Sequence, residues 1–320
     1  MKARAVFLLL CCIWGSTWMF IKLGLRDLPP LSFAAARFLL ATAILSVIVA
    51  ARRASLPRGR AEWWLIAKTG VLAFALNYGL LFWGEQHISS GLAALIQASI
   101  PVFGMLLAHP YLPGERLNAR KLSGALLGVV GVGVIFSSQL EAEGGMAAWG
   151  SAAVLAGAVF VAYANVLVKA GGARLDAAVL SAGQMACGFV VLAAAGLLFE
   201  GNPLRFRWTG LAVACLLYLT LVGSVAAFLL FYWLVRHVDV TKTMLIALVT
   251  PLAAVLLGVL VLGEEVTWRT LAGGALILSG IGLVVLRRGP TAPAPAAAGG
   301  AEGAAPEAGA ARAATAAPRR

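Results

Sequence analysis

The chain has 320 residues, of which 61% are hydrophobic and 12% charged, with a formal net charge of +12. Soluble domains are typically about 45–50% apolar and about 25% charged. So much apolar surface fits no single water-facing core of this length, and lipid is the expected solvent. The basic balance does not point to nucleic acid, because the Lys and Arg residues fall in short clusters between apolar runs, without a basic helix or an aromatic-basic motif. Cys11, Cys12, Cys187 and Cys215 all lie in apolar runs without Cys-x-x-Cys spacing, which gives neither a disulfide framework nor a metal set.

Read in order, ten runs are long enough to span about 30 Å of hydrocarbon, which takes about 20 helical residues. They are 5–25, 31–51, 63–84, 88–108, 119–138, 147–168, 177–199, 209–233, 240–262 and 268–287. The first run begins like a signal peptide, with Lys2 and Arg4 before an apolar core. No small-residue cleavage site follows, so it is expected to stay as a helix. Breaks such as Pro29-Pro30, Pro57, Pro113-Gly114, Gly144-Gly145 and Pro203 separate the runs. The segment 288–320 is Ala, Gly and Pro with scattered charge, and is expected to be a disordered cytoplasmic tail.

The stretch from Phe82 to Leu126 returns from Tyr232 with a constant shift of 150. Trp83 matches Trp233, His87 matches His237, Pro101 matches Pro251, Glu115 matches Glu265, and Gly124-Ala125-Leu126 matches Gly274-Ala275-Leu276. Before this block the shift is 147: Lys22 faces Lys169, Arg37 faces Gln184, and Trp14 faces Val161. The chain therefore reads as two copies of one unit, at 5–138 and 147–287. Five spans per copy is an odd number, so the copies must cross the membrane in opposite directions. The fold class expected is an all-α integral membrane protein, ten transmembrane helices in two inverted five-helix repeats. Most basic loop residues fall on one side if the N-terminus is inside, which places both termini in the cytoplasm.

The first copy carries Trp14-Gly15-Ser16 with Lys22 downstream, the Pro29-Pro30 loop, Ala36-Arg37-Phe38-Leu39-Leu40-Ala41, and Pro101, Glu115 and Gly124. The second carries Pro251, Glu264-Glu265 and Gly274. These blocks resemble two tandem EamA domains of the drug/metabolite transporter superfamily, over residues from about 5 to 287. The resemblance implies a central cavity between the halves and export or exchange of small metabolites such as amino acids or their derivatives. Gln184 in place of Arg37, and Val161 in place of Trp14, exclude symmetric roles for those positions.

No enzyme signature, phosphate-binding glycine loop or metal-ligand cluster appears, so neither catalysis nor a cofactor nor a metal is expected. The function expected is a secondary transporter of small polar metabolites (amino acids, derivatives or drugs), working by alternating access across the inner membrane, with efflux as direction. A non-transporting membrane sensor or assembly subunit is the alternative. The partners expected are the substrate and membrane lipid, not nucleic acid, and a homodimer stays open.

Polar residues inside spans are costly in lipid and tend to face a cavity or a partner. Trp14, Ser16, Thr17, Lys22, Arg37, Asn77, Gln97, Tyr163, Asn165 and Gln184 are the cavity candidates. For each polar group, helix-to-helix bonding is the competing reading. Lys22 also reads as snorkelling to the headgroups, and Arg37 as reaching a water-filled outward cavity or helix-end carbonyls. Pro101 and Pro251 each remove a backbone donor and are hinge or kink candidates. Glu85, Glu264 and Glu265 fall at span ends, so no buried carboxylate relay for protons is evident, and exchange, facilitated diffusion or coupling through an edge carboxylate or histidine stay open.

Overall fold

The computed structural model describes residues 2–112, 118–141, 145–172, 174–237 and 246–285. Among these residues the protein is helical, with no strand. The helices, numbered in chain order, are α1 (Lys2–Gly24), α2 (Pro30–Ala51), α3 (Arg60–Glu85), α4 (Ser90–Tyr111), α5 (Ala119–Glu141), α6 (Met146–Gly171), α7 (Ala177–Phe199), α8 (residues 210–237), α9 (Ile246–Leu262) and α10 (Trp268–Val285). The first eight contain stretches long and apolar enough to cross a membrane, and α9 and α10 are shorter apolar helices. This is a multi-pass membrane protein. The start of the expected run 240–262, the expected tail and Glu115 lie outside the described residues.

Three spans are not continuous α-helix. In α4 the chain turns at Ala98 and Ser99 and restarts at Ile100. Pro101 has no N–H to offer the Gln97 carbonyl, while Val102 and Phe103 both donate to the Ser99 carbonyl. In α3, residues Val71–Leu76 form a π-helix, and in α8 residues Tyr218–Ala226 do the same. These wide turns occupy corresponding places in the two copies. No proline or other marked residue type signals them. π-Bulges cluster at functional sites.

The helix partnerships repeat when five is added to each helix number. Helix α1 packs on α8 and α9, and α6 packs on α3 and α4; α2 packs on α7, and α5 on α10. Each copy thus buries its helices largely against the other. Where α5 meets α10 the backbones touch. A Cβ on Gly131 would lie 2.5 Å from the Gly273 carbonyl, and one on Gly273 would lie 2.6 Å from the Gly131 carbonyl. Gly128 of the Gly124-x-x-x-Gly128 pair admits Val102 of α4, as close helix packing requires.

Carboxylates from the second copy hold two helix starts of the first. Glu200, just after α7, accepts from the backbone N–H groups of Leu31 and Ser32 at 2.7 and 2.8 Å. Glu264, between α9 and α10, accepts from Ser90 N, Ser90 Oγ and Gly91 N at 2.7, 2.9 and 3.2 Å. Both satisfy donors that a helix start leaves open, with a negative charge at the positive end of the dipole.

Candidate functional site

A cavity of about 550 Å³ opens between helices of both copies. Its wall is drawn from α1, α3, α4, α6, α7, α8 and α9, while α2, α5 and α10 stand behind. The π-helical stretch of α3 and the turn after it contribute Phe74, Asn77, Tyr78 and Leu81. The broken α4 contributes Gln97 and Pro101, and α9 contributes Thr250 and Pro251. Both prolines therefore face the cavity at corresponding places. A proline leaves a carbonyl one turn earlier without its helical donor, so each wall carries backbone acceptor capacity as well as side chains.

The polar groups of the wall are neutral. Gln97 Nε2 donates to Asn77 Oδ1 at 2.9 Å and to the Val154 carbonyl at 3.3 Å, tying α4 to α3 and α6. Asn77 Nδ2 in turn donates to the Ala73 carbonyl at 3.3 Å. Across the cavity Gln184 Nε2 donates to Thr69 Oγ1 at 2.8 Å. Asn165 lines the cavity and is solvent-exposed, which puts it at the mouth. Trp18, Phe74, Tyr78 and Phe228 give aromatic faces. None of the described lining residues carries a formal charge.

Six sequence candidates thus meet at the cavity: Asn77, Gln97, Asn165, Gln184, Pro101 and Pro251. The other six stand elsewhere. Trp14 packs edge-on to Phe228 and tilted against Phe231, with centroids 6.4 and 5.4 Å away. Ser16 Oγ pairs with the Tyr218 hydroxyl at 2.7 Å, and Thr17 Oγ1 donates to the Trp14 carbonyl. Tyr163 turns to Tyr111, hydroxyl to hydroxyl at 3.3 Å, with Lys68 Nζ 5.6 Å from its ring centroid. Ser16 and Tyr163 join helices through their hydroxyls, Thr17 bonds within its own helix and Trp14 packs through its ring; none of the four is in the cavity lining.

Arg37 is 4% exposed and is not among the cavity lining. Its Nε donates to Ser224 Oγ at 3.2 Å, on the π-helical stretch of α8. Its guanidinium carbon stands 5.2 Å from the Tyr78 ring centroid and 5.7 Å from that of Phe38. Tyr78 also stacks on Phe74, with centroids 5.9 Å apart. Arg37 therefore sits behind the aromatic wall and braces it by cation–π contact. The expectation that it opens to water or caps helix-end carbonyls is corrected: its recorded partners are a hydroxyl and two rings. Gln184, its counterpart, bonds the hydroxyl of Thr69 on α3 as Arg37 bonds that of Ser224 on α8, but it also reaches the cavity.

Lys22 does not snorkel. Its Nζ turns inward and donates to the carbonyls of Glu85 and Ile88, at 2.6 and 2.7 Å. Glu85 stands at the end of its helix, as expected, but is 0% exposed. The cause is Gly84. A Cβ there would lie 2.6 Å from the Gly150 carbonyl, so its absence lets α6 close over the end of α3. Sequence reasoning also passed over Trp18, Phe74, Tyr78, Ser181 and Thr250, which line the cavity. Phe74 and Leu81 lie about one helical turn before and after Asn77, and that spacing was the available signal.

The model of the EamA-like transporter family matches this chain twice, over residues 1–137 and 148–286. The chain belongs to that family. It is therefore a membrane transporter with two EamA matches along its chain. Among curated relatives, the uncharacterized transporter YoaV of Bacillus subtilis (strain 168) is 28% identical over 84% of this EamA chain and 91% of its own. The uncharacterized inner membrane transporter YedA of Escherichia coli (strain K12) is 30% identical over 81% and 83%. A probable terminal-alkyne amino-acid exporter of Streptantibioticus cattleyicolor is 27% identical over 88% and 93%. A solved protein crystal structure aligns with a TM-score of 0.62 at 22% identity, covering 89% of this chain and 96% of that one, which shows a shared fold.

Proposed function

We propose that this EamA-family protein exports small amphiphilic metabolites of no net charge, amino acids and their derivatives among them, across the inner membrane. The observation that carries the reading is the cavity: about 550 Å³, walled by both copies, with amides, hydroxyls and aromatic faces and no charged side chain among the described lining residues. Such a wall bonds carboxylate, ammonium or amide groups through neutral dipoles and covers an apolar side chain with rings. A substrate with net charge would enter it without a compensating partner. The amino-acid exporter among the relatives and the inner-membrane placement of YedA agree with this substrate class and location.

In this reading the working unit is ten spanning helices in two inverted five-helix repeats, 5–138 and 147–287, with 288–320 as a cytoplasmic tail and both termini inside. The exchange-symmetric helix partnerships support it. Two similar halves in opposite orientations swap conformations and expose the cavity to each side in turn. Pro101 and Pro251, facing that cavity at matching places, are the bending points. Asn77, Gln97, Asn165 and Gln184 hold the substrate. Arg37, Lys22, Trp14, Ser16, Thr17 and Tyr163 set the walls.

Reporter fusions after residues 55 and 143 test the orientation. The first is expected to report the cytoplasm and the second the outside; an outside signal after residue 55 overturns this orientation, and signals on the same side at both places remove the inverted arrangement. Purified protein in liposomes tests the transport, with vesicles loaded with unlabelled L-leucine, L-phenylalanine and L-glutamine and assayed for counterflow of each labelled form. Counterflow of at least one is expected. Gln97→Leu is expected to lower it about tenfold, as loss of a polar contact of about 1.4 kcal/mol gives. Absence of counterflow in the native protein for all three argues against this substrate class.

A further inference from the structure

We infer that Glu85 is a proton-binding site, set beside Lys22 at the end of the cavity, through which export is driven by the proton gradient. The inference rests on the transport reading above and adds its coupling ion.

Two carboxylates, Glu200 and Glu264, hold helix starts, and a third, Glu85, holds none. Glu200 and Glu264 each accept from two or three donors. Glu85 is completely buried, and neither of its carboxylate oxygens has a hydrogen-bond partner among the described residues. Lys22 is the nearby cation, yet it donates to the backbone carbonyls of Glu85 and Ile88 rather than to the carboxylate. A structural ion pair spends its donors on the carboxylate oxygens. Here they are left open, which is the arrangement of a group that takes its hydrogen from elsewhere. Ser151, next to Gly150 where α6 closes on α3, likewise has a buried hydroxyl without a partner.

The site adjoins the transport route. Glu85 follows the cavity residue Leu81 by one turn of α3, and Lys22 follows the cavity residue Trp18 by one turn of α1. It also lies across the seam between the copies, because Glu264 of the second copy holds the start of α4 beside it. A movement that opens this seam brings water to Glu85, and one that closes it seals Glu85 again. The charged groups that face it are Lys22 from α1 and Glu264 from the loop after α9; Arg26, just beyond α1, stands near Lys22, and the His87 ring turns to Trp83.

The step balances without a further reactant. In the open state a hydronium O–H bond breaks and a carboxyl O–H bond forms, which leaves water and a neutral Glu85. The seam closes around the neutral group, since burying a carboxylate whose oxygens accept no hydrogen bond is costly. Opening to the other side returns the proton to water there. Lys22 keeps its ammonium throughout and balances the carboxylate when the proton is absent. A metal cation fits less well: an ammonium already occupies the place, and among the described residues no cluster of three His, Cys, Asp or Glu side chains exists.

The full chain in liposomes gives the test, with the same three labelled amino acids. Under a pH gradient of one unit, one proton per substrate sustains about tenfold accumulation, and a protonophore removes it. In Glu85→Gln the ratio of gradient-driven accumulation to counterflow is expected to fall to about one. Accumulation that ignores the gradient in the native protein, or that survives in Glu85→Gln, overturns the inference. A second measurement needs neither substrate nor variant. Infrared difference spectra of the native protein in lipid, between high and low pH, are expected to show a protonated carboxyl in an apolar setting. Their absence overturns the proton site, including where Glu85→Gln does not fold, and their loss in a folded Glu85→Gln assigns the band. Lack of counterflow removes the transport reading and leaves the infrared result to decide the proton site.

Discussion

Replacement of Gly131 by leucine is expected to remove nearly all folded protein from detergent extracts. The β-carbon alone would sit 2.5 Å from the Gly273 carbonyl and 2.9 Å from Ile277 Cγ1. Those neighbours are backbone and a packed core side chain, so neither can step aside. Helices α5 and α10 would have to separate, and the reciprocal contact of Gly273 with Gly131 and Ile135 would go with them. Overpacking typically costs about 1–3 kcal/mol where side chains can adjust, and here two backbones must part, so at least about 3 kcal/mol is expected. Size-exclusion fluorescence of a tagged variant measures it. A monodisperse peak of native height and melting temperature would show that this seam is not a tight one. Gly133, on the same helix, has open space around its Cβ direction, and Gly133→Ala is the matched control.

The second large effect is on transport. Arg37→Gln is expected to lower counterflow by tenfold or more while leaving the melting temperature nearly unchanged. The transport loss follows from Tyr78, whose ring centroid stands 5.2 Å from the guanidinium carbon and which also lines the cavity. A desolvated cation–π contact of about 2 kcal/mol is more than tenfold in an equilibrium. The small change in stability follows from opposing terms. Loss of the hydrogen bond to Ser224 costs about 1–3 kcal/mol, and removal of a charge from the membrane interior returns a similar amount, about 2.5–3.5 kcal/mol on insertion scales. Gln184 already occupies the corresponding place in the second copy and bonds a hydroxyl on the facing helix. Normal counterflow in Arg37→Gln would sink the bracing role. A melting temperature that falls in step with counterflow would mark Arg37 as structural instead.

Eight of the ten expected runs coincide with helices long and apolar enough to cross a membrane, because the length of an apolar run is a direct property of sequence and lipid imposes that length. The family was readable from the Trp14-Gly15-Ser16, Pro29-Pro30 and Ala36-Arg37-Phe38 blocks with the Pro, Glu and Gly residues that follow them. Pro101 and Pro251 announced their positions because a missing N–H is written in the residue type. Which face of each helix turned inward was harder. Helix α2 is apolar all round, so its sequence does not show that Arg37 points at α8 rather than at lipid. The π-helical stretches have no residue signature, and they swing Phe74 and Tyr78 into the wall. Glu85 looked interfacial because its distance from the end of its own span was all the sequence showed. Its burial is caused by Gly84 and Gly150, which lie on helices far apart in the chain.

The exchange of partners between the copies also bears on how the protein is made. Helix α1 ends at Gly24, and its partner α9 begins at Ile246. A ribosome adding about 5–20 residues per second needs on the order of ten to forty seconds to synthesise that interval. Over that time the early helices reside in the bilayer with the faces meant for α7, α8 and α9 turned to lipid. Lipid tails are as apolar as leucine and tolerate such a wait. Lys22 is less easily kept waiting, because the carbonyls that receive its ammonium lie in the turn after α3. The third and fourth spans, inserted as a hairpin, supply that acceptor early, so the first copy can shelter its charge long before its larger interfaces are synthesised.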